Sequence, residues 1–110
     1  MRSLSFVVAA VAVLAVSHVA QAGTVDTPAC KRDLSSASAG VAESLARLKG
    51  AARAVGEVKC EAYRQQFLIV VKARDVFANC KTGPDREADV GRLDGTIEDL
   101  NGGIAASCTQ

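Results

Sequence analysis

The stretch from Cys60 to Cys80, CEAYRQQFLIVVKARDVFANC, decides how the rest of the chain is read. It holds neither Gly nor Pro and carries a cysteine at each end. Two apolar rows recur at helical steps: Cys60, Tyr63, Phe67, Val70 and Phe77, then Ala62, Ile69, Ala73, Val76 and Cys80. Together they form a stripe broad enough for a neighbouring helix on each side. Glu61, Gln65, Lys72, Asp75 and Asn79 fall on the opposite, solvated face. Taken alone, the run Phe67 to Val71 fits a buried strand as well as a helix. Charged, helix-favouring residues flank it on both sides without a turn signal, so the stretch is read as helix.

That reading constrains the sulfur chemistry. Twenty residues of helix separate Cys60 from Cys80 by about 30 Å, whereas a disulfide needs its Cα atoms within about 7 Å. These two cysteines must bond elsewhere.

Outward from this helix, the chain begins MRSLSFVVAAVAVLAVSHVAQAG. Arg2, the apolar run Phe6 to Val16 and the small-residue signature Ala20-Gln21-Ala22 have the form of a cleavable signal peptide spanning residues 1–22. The apolar run is too short for a membrane span of about 20 residues, so cleavage after Ala22 is expected rather than an uncleaved anchor. The remaining chain has no second apolar stretch able to cross a membrane. The expected destination is the periplasm or the extracellular space, and the Ala-, Val- and Arg-rich composition favours a bacterial periplasm.

Export changes the meaning of Cys30, Cys60, Cys80 and Cys108, which are all the cysteines present. An even number in an oxidising compartment reads as disulfides. A four-thiolate zinc site usually shows close pairs such as C-x-x-C, and here the gaps are 30, 20 and 28 positions.

Residues 23–27 are expected to be a flexible lead-in, and residues 28–110 a helical bundle. Thr27-Pro28 is a good helix start, with Thr as N-cap and Pro where its missing N–H costs nothing. Cys30, Leu34, Ala37, Val41, Leu45, Leu48, Ala52 and Val55 follow at helical spacing. Ser35, Ser36 and Ser38 offer a later start, and Gly56 a terminator. The first helix is therefore expected at 28–54 and the second at 57–81. Thr82 and Asp85 resemble a capping box, and Gly83-Pro84 blocks continuation of the second helix. The third helix carries Val90, Leu93, Ile97, Leu100, Ile104 and Cys108 on one narrow row. Gly91, Gly95 and Gly102 beside that row mark either a close backbone approach or a weak helix.

Three helices with short connections should run up-down-up. Four cysteines allow three connectivities. Any pair joining the two ends of one helix fails on length, which removes Cys60–Cys80, Cys30–Cys60 and Cys80–Cys108. The pairing left is Cys30–Cys80 at one end and Cys60–Cys108 at the other. The expected fold is thus an all-α, up-down-up three-helix bundle stapled by two disulfides. Each bridge closes a loop of roughly fifty residues, worth about 4 kcal/mol in the chain-entropy model before strain. In so small a domain such staples matter.

The functional signals are mostly exclusions. The single histidine, His18, lies in the leader, so the processed chain is expected to lack imidazole chemistry. Bridged cysteines offer no thiolate nucleophile, and neither a phosphate-binding Gly loop nor a nucleophile elbow is present. No catalytic, cofactor-binding or metal-binding residue is assigned. Asp94-Gly95-Thr96-Ile97 resembles the middle of a calcium loop, but Val90, Arg92 and Asn101 then stand where carboxylates are needed. Starting the loop at Asp85 fails as well.

Charge is uneven. Residues 30–81 carry ten basic and five acidic side chains, whereas residues 82–110 carry two basic and six acidic ones. The third helix is an acidic rod facing a basic pair, which favours docking within the molecule. Lys49, Arg53 and Lys59 cluster near the first turn without interleaved aromatics, so no nucleic-acid partner is expected.

The leading expectation is a small exported, non-enzymatic helical protein acting by contact with another protein or with the envelope. A second reading is a periplasmic acid-stress chaperone, in which protonating Asp85, Glu87, Asp89, Asp94, Glu98 and Asp99 frees the third helix. A third, an enzyme working with carboxylates alone, needs a concave site that a short three-helix bundle seldom has.

Overall fold

The computed structural model describes residues 23–108. The expected signal peptide, residues 1–22, lies outside the described residues. Three helices follow one another: α1 (Pro28–Gly50), α2 (Glu57–Cys80) and α3 (Gly83–Ser107). They form the up-down-up bundle expected of their lengths and short links, and both disulfides join the expected partners. Cys30 meets Cys80 with Cα atoms 5.2 Å apart, and Cys60 meets Cys108 at 5.0 Å.

The central stretch is the hub. α2 packs against both α1 and α3, while no Cα of α1 comes within 8 Å of one in α3. Val70, Ala73 and Phe77 of α2 form the buried core with Leu93 and Leu100 of α3. Leu34, Ala37, Val41 and Leu48 close over it from α1, and Val90 and Ile97 from α3. These are the apolar rows read from the sequence, and burying them supplies the main driving force at about 25 cal/mol per Å².

Helix boundaries follow local chemistry. Thr27 caps α1: its Oγ1 accepts a hydrogen bond from the Cys30 N–H at 3.1 Å, and Pro28 follows at the first helical position. α1 stops at Gly50, short of the expected 54. The Ala51 N–H turns onto the carbonyls of Arg47 (3.0 Å) and Leu48 (3.1 Å), tightening the last turn so that the helix closes on itself. Gly56 does adopt the left-handed region, with φ of 67°, but as the residue preceding α2 rather than the one ending α1. The capping box expected at Thr82 and Asp85 does not form, because the Thr82 side chain makes no capping hydrogen bond. Pro84 and Asp85 still suit the first turn of α3, where an acidic group complements the helix dipole.

The lead-in departs most from expectation. Residues 23–25 are tied down rather than frayed. Thr24 pairs antiparallel with Lys81, the Val25 N–H donates to the Cys80 carbonyl at 2.8 Å, and the Thr82 N–H donates to the Gly23 carbonyl at 2.7 Å. The link between α2 and α3 exposes backbone groups that neither helix can satisfy, and the lead-in satisfies them.

Candidate functional site

Polar groups from more than one helix meet at the α2–α3 junction and at the α1–α2 turn. The first joins α2 to α3 near the Cys30–Cys80 end. Lys81 pairs with Asp89 across the helices, and its Nζ stands 5.3 Å from the Phe77 ring centroid. Arg92 reaches the other oxygen of Asp89 at 3.1 Å. One turn further along, Arg74 forks onto Asp94, with Nη2 at 3.3 Å from Oδ2, and the Arg86 Nε–H donates to the Ala78 carbonyl at 2.8 Å. The hydrogen bond from Lys81 holds the Asp89 carboxyl below its ordinary pKa, against an opposing push from partial burial. The same kind of contact with Asp94 raises the Arg74 guanidinium above its already high value.

The acidic third helix is thus docked on α2 by charge, as its composition suggested. The expected involvement of a basic pair holds for one member only. Among the described residues no ion pair or side-chain hydrogen bond joins α1 to α2, and the side-chain partners of Arg47 and Ser44 lie within α1 itself.

The second region is a cleft of about 460 Å³ at the turn between α1 and α2. Ser44, Arg47, Glu57, Val58, Glu61 and Gln66 line it. Two of its lining residues, Ser44 and Gln66, are polar yet each only 2 % exposed. The Ser44 Oγ–H donates to the Val41 carbonyl at 3.0 Å, whereas Gln66 Oε1 has no hydrogen-bond partner among the described residues. At its rim Val58 is 63 % exposed and the neighbouring turn residue Val55 is 87 % exposed. The Ser44 hydroxyl is thus committed to a backbone carbonyl, and among the described residues no side-chain base is hydrogen-bonded to it.

Neither Gln66 nor Ser44 belongs to a sequence motif that marks chemistry. Gln66 stands four positions before Val70, on the same helical row as Ala73 and Phe77, so its burial follows from its register even though its side chain reads as polar. Ser44 follows Val41 by three positions and turns to the same side. The disulfide residues Cys30, Cys60, Cys80 and Cys108 sit at the two ends of the bundle, and all four are bridged. Among the described residues no group of three or more His, Cys, Asp or Glu side chains could hold a metal ion.

Comparison with protein families, with characterised proteins and with solved structures gave no match.

Proposed function

We propose that this chain is an exported, non-catalytic helical protein that acts by contact with another protein or with an envelope component. The contact surface is the end of the bundle formed by the α1–α2 turn. The observation that carries this reading is the pairing there of two exposed valines, Val55 and Val58, with a cleft lined by the charged side chains of Arg47, Glu57 and Glu61. Single exposed apolar residues are ordinary. Two beside a cleft lined by charged side chains form a surface that a partner can cover.

Export is supported by the leader-like residues 1–22 and by two bridges of a kind that persists in oxidising compartments. The test is capture from an envelope extract with the oxidised exported product, set beside the double substitution Val55→Glu and Val58→Glu. A partner retained by the first and lost by the second supports the reading. Identical binding by both would remove the turn from consideration, and recovery of the protein from the cytoplasm would remove export.

The acid-stress chaperone reading is opposed by topology. α3 is fixed to α2 at one end by the short link at Lys81 and Thr82 and at the other by Cys60–Cys108. α1 is likewise held at both ends, by the 51–56 turn and by Cys30–Cys80. Protonating the acidic face removes the charge attraction between α2 and α3, but the apolar core remains and neither outer helix can swing away. An unchanged near-ultraviolet spectrum between pH 7 and pH 2.5, roughly the range over which carboxylates protonate, is the expected result. Spectral loss with dye binding would restore the chaperone reading.

A further inference from the structure

The docked lead-in brings the expected cleavage point against a carboxylate. Gly23 adopts φ of 102°, and a Cβ placed on it would lie 2.5 Å from Asp85 Oδ2 and 2.9 Å from Asp85 Cβ. A larger residue would be strained by that φ and would force the Asp85 side chain to shift. The Gly23 nitrogen shares the same Cα, with about 2.5 Å between such substituents, so it lies within about 5 Å of that oxygen. Asp85 has no cationic partner among the described residues: Lys81 is taken by Asp89, and Arg86 is paired with Glu87. The backbone around Gly23 is held by the Thr82–Gly23 and Val25–Cys80 hydrogen bonds, which fix where its nitrogen stands.

We propose that Asp85 is the receiving site for the chain's own processed amino terminus. A leader peptidase adds water across the Ala22–Gly23 amide; Ala22 departs with a carboxylate and Gly23 keeps the nitrogen as an ammonium. Before cleavage that nitrogen is a neutral amide with one proton. Afterwards it is a cation with three donors, placed beside an unpaired carboxylate at the start of α3. The ion pair adds to the backbone hydrogen bonds that already hold the lead-in on the α2–α3 link, next to the Cys30–Cys80 bridge, so processing strengthens the clasp at that end of the bundle. Gly at position 23 then serves two requirements at once, as a small residue following the cleavage signature and as the one side chain that lets Asp85 approach.

This inference rests on cleavage after Ala22, and the test separates the two. The full chain is expressed with its leader, the exported product is purified oxidised, and its intact mass is measured. Its α-amine is then acetylated at pH about 6.5, where lysines, titrating near 10.4 against about 7.7–8.0 for an α-amine, stay protonated and unreactive. In the native sequence, acetylation should lower the thermal midpoint by about 2–5 °C, the range expected of one exposed ion pair in a domain of this size. It should also speed hydrogen exchange at the Thr82 amide several-fold. In Asp85→Asn both effects should vanish.

A product beginning elsewhere than Gly23 overturns the cleavage and the capture together. A product beginning at Gly23 that is indifferent to acetylation overturns the capture alone. An equal loss on acetylation in Asp85→Asn also overturns it, by assigning the effect to some other group.

Discussion

The Tyr63 ring lies against the backbone of Gly103, so close that a Cβ on Gly103 would fall 2.2 Å from Tyr63 Cε1 and 2.6 Å from Cδ1. This contact joins α2 to α3 at the end opposite the ion pairs, near the Cys60–Cys108 bridge. Gly103→Ala must push the ring off the helix or move α3, and overpacking of this kind costs about 1–3 kcal/mol. Denaturation of the oxidised protein should show that loss. Gly91→Ala, Gly95→Ala and Gly102→Ala should behave in the opposite way. A Cβ at any of these meets nothing within 4 Å, so each should stabilise α3 by up to about 1 kcal/mol through helix propensity alone.

This contrast shows where sequence reading reaches and where it stops. Helical period and rod length are local properties of the chain, so the bounds of α2, the cap at Thr27 and the pairing Cys30–Cys80 with Cys60–Cys108 were all legible. The role of each α3 glycine was not. Four of its glycines look alike in sequence, and only the position of Tyr63 on another helix singles out Gly103. The lead-in was misread for the same reason, since its hydrogen bonds are to Cys80 and Thr82, more than fifty positions away. Gln66 places a polar side chain on an apolar row, so only its register signals its burial. The cleft it helps line depends on how α1 and α2 separate at their turn, which no single-helix pattern contains.

Asp89 should make the docking of α3 sensitive to acid. Its pKa is lowered in the folded protein, first by the hydrogen bond from Lys81. A carboxylate so depressed stabilises the fold at any pH above its unfolded value of about 3.9, and that contribution fades as pH falls through the lower folded value. Asp89→Asn should therefore cost about 1–2 kcal/mol near neutrality, as expected for a partly exposed charge-assisted bond. The gap from the native protein should begin to close below about pH 5 and be gone once both states are protonated. Urea titrations across that range read it directly. A gap independent of pH would mean that the amide disturbs packing instead.

Gln66 offers a prediction of the reverse sign. Its Oε1 is buried without a partner, a situation that costs about 1–3 kcal/mol relative to a satisfied or an apolar group. Gln66→Met keeps much of the length and volume while removing both polar atoms, so it should raise stability by about 1 kcal/mol. The same substitution removes no accessible hydrogen-bonding group from the α1–α2 cleft, because Gln66 is only 2 % exposed. If that cleft is the contact surface, a more stable protein should bind its partner as well as before. Thermal midpoint and capture measured on one preparation would show the first rising and the second unchanged.

The two disulfides should not be equivalent, although the loops they close are nearly equal at 50 and 48 positions. The chain-entropy model assigns each about 4 kcal/mol, so a difference between them must come from what each holds in the folded state. Replacing Cys60 and Cys108 by Ser removes the bridge beside the Tyr63–Gly103 contact, at an end with no cross-helix ion pair among the described residues. α3 there keeps only apolar packing, and its last turns should fray. Replacing Cys30 and Cys80 by Ser releases α1 instead, which has no ion pair to α2 anywhere along its described length, while the backbone carbonyl of residue 80 that holds the lead-in is kept. α3 stays docked in that variant through Lys81–Asp89 and Arg74–Asp94. Amide exchange should accordingly rise along α1 after loss of Cys30–Cys80, and only in the last turns of α3 after loss of Cys60–Cys108. Protection lost uniformly in both variants would mean that the three helices unfold as one unit and that the polar docking of α3 gives it no independent hold.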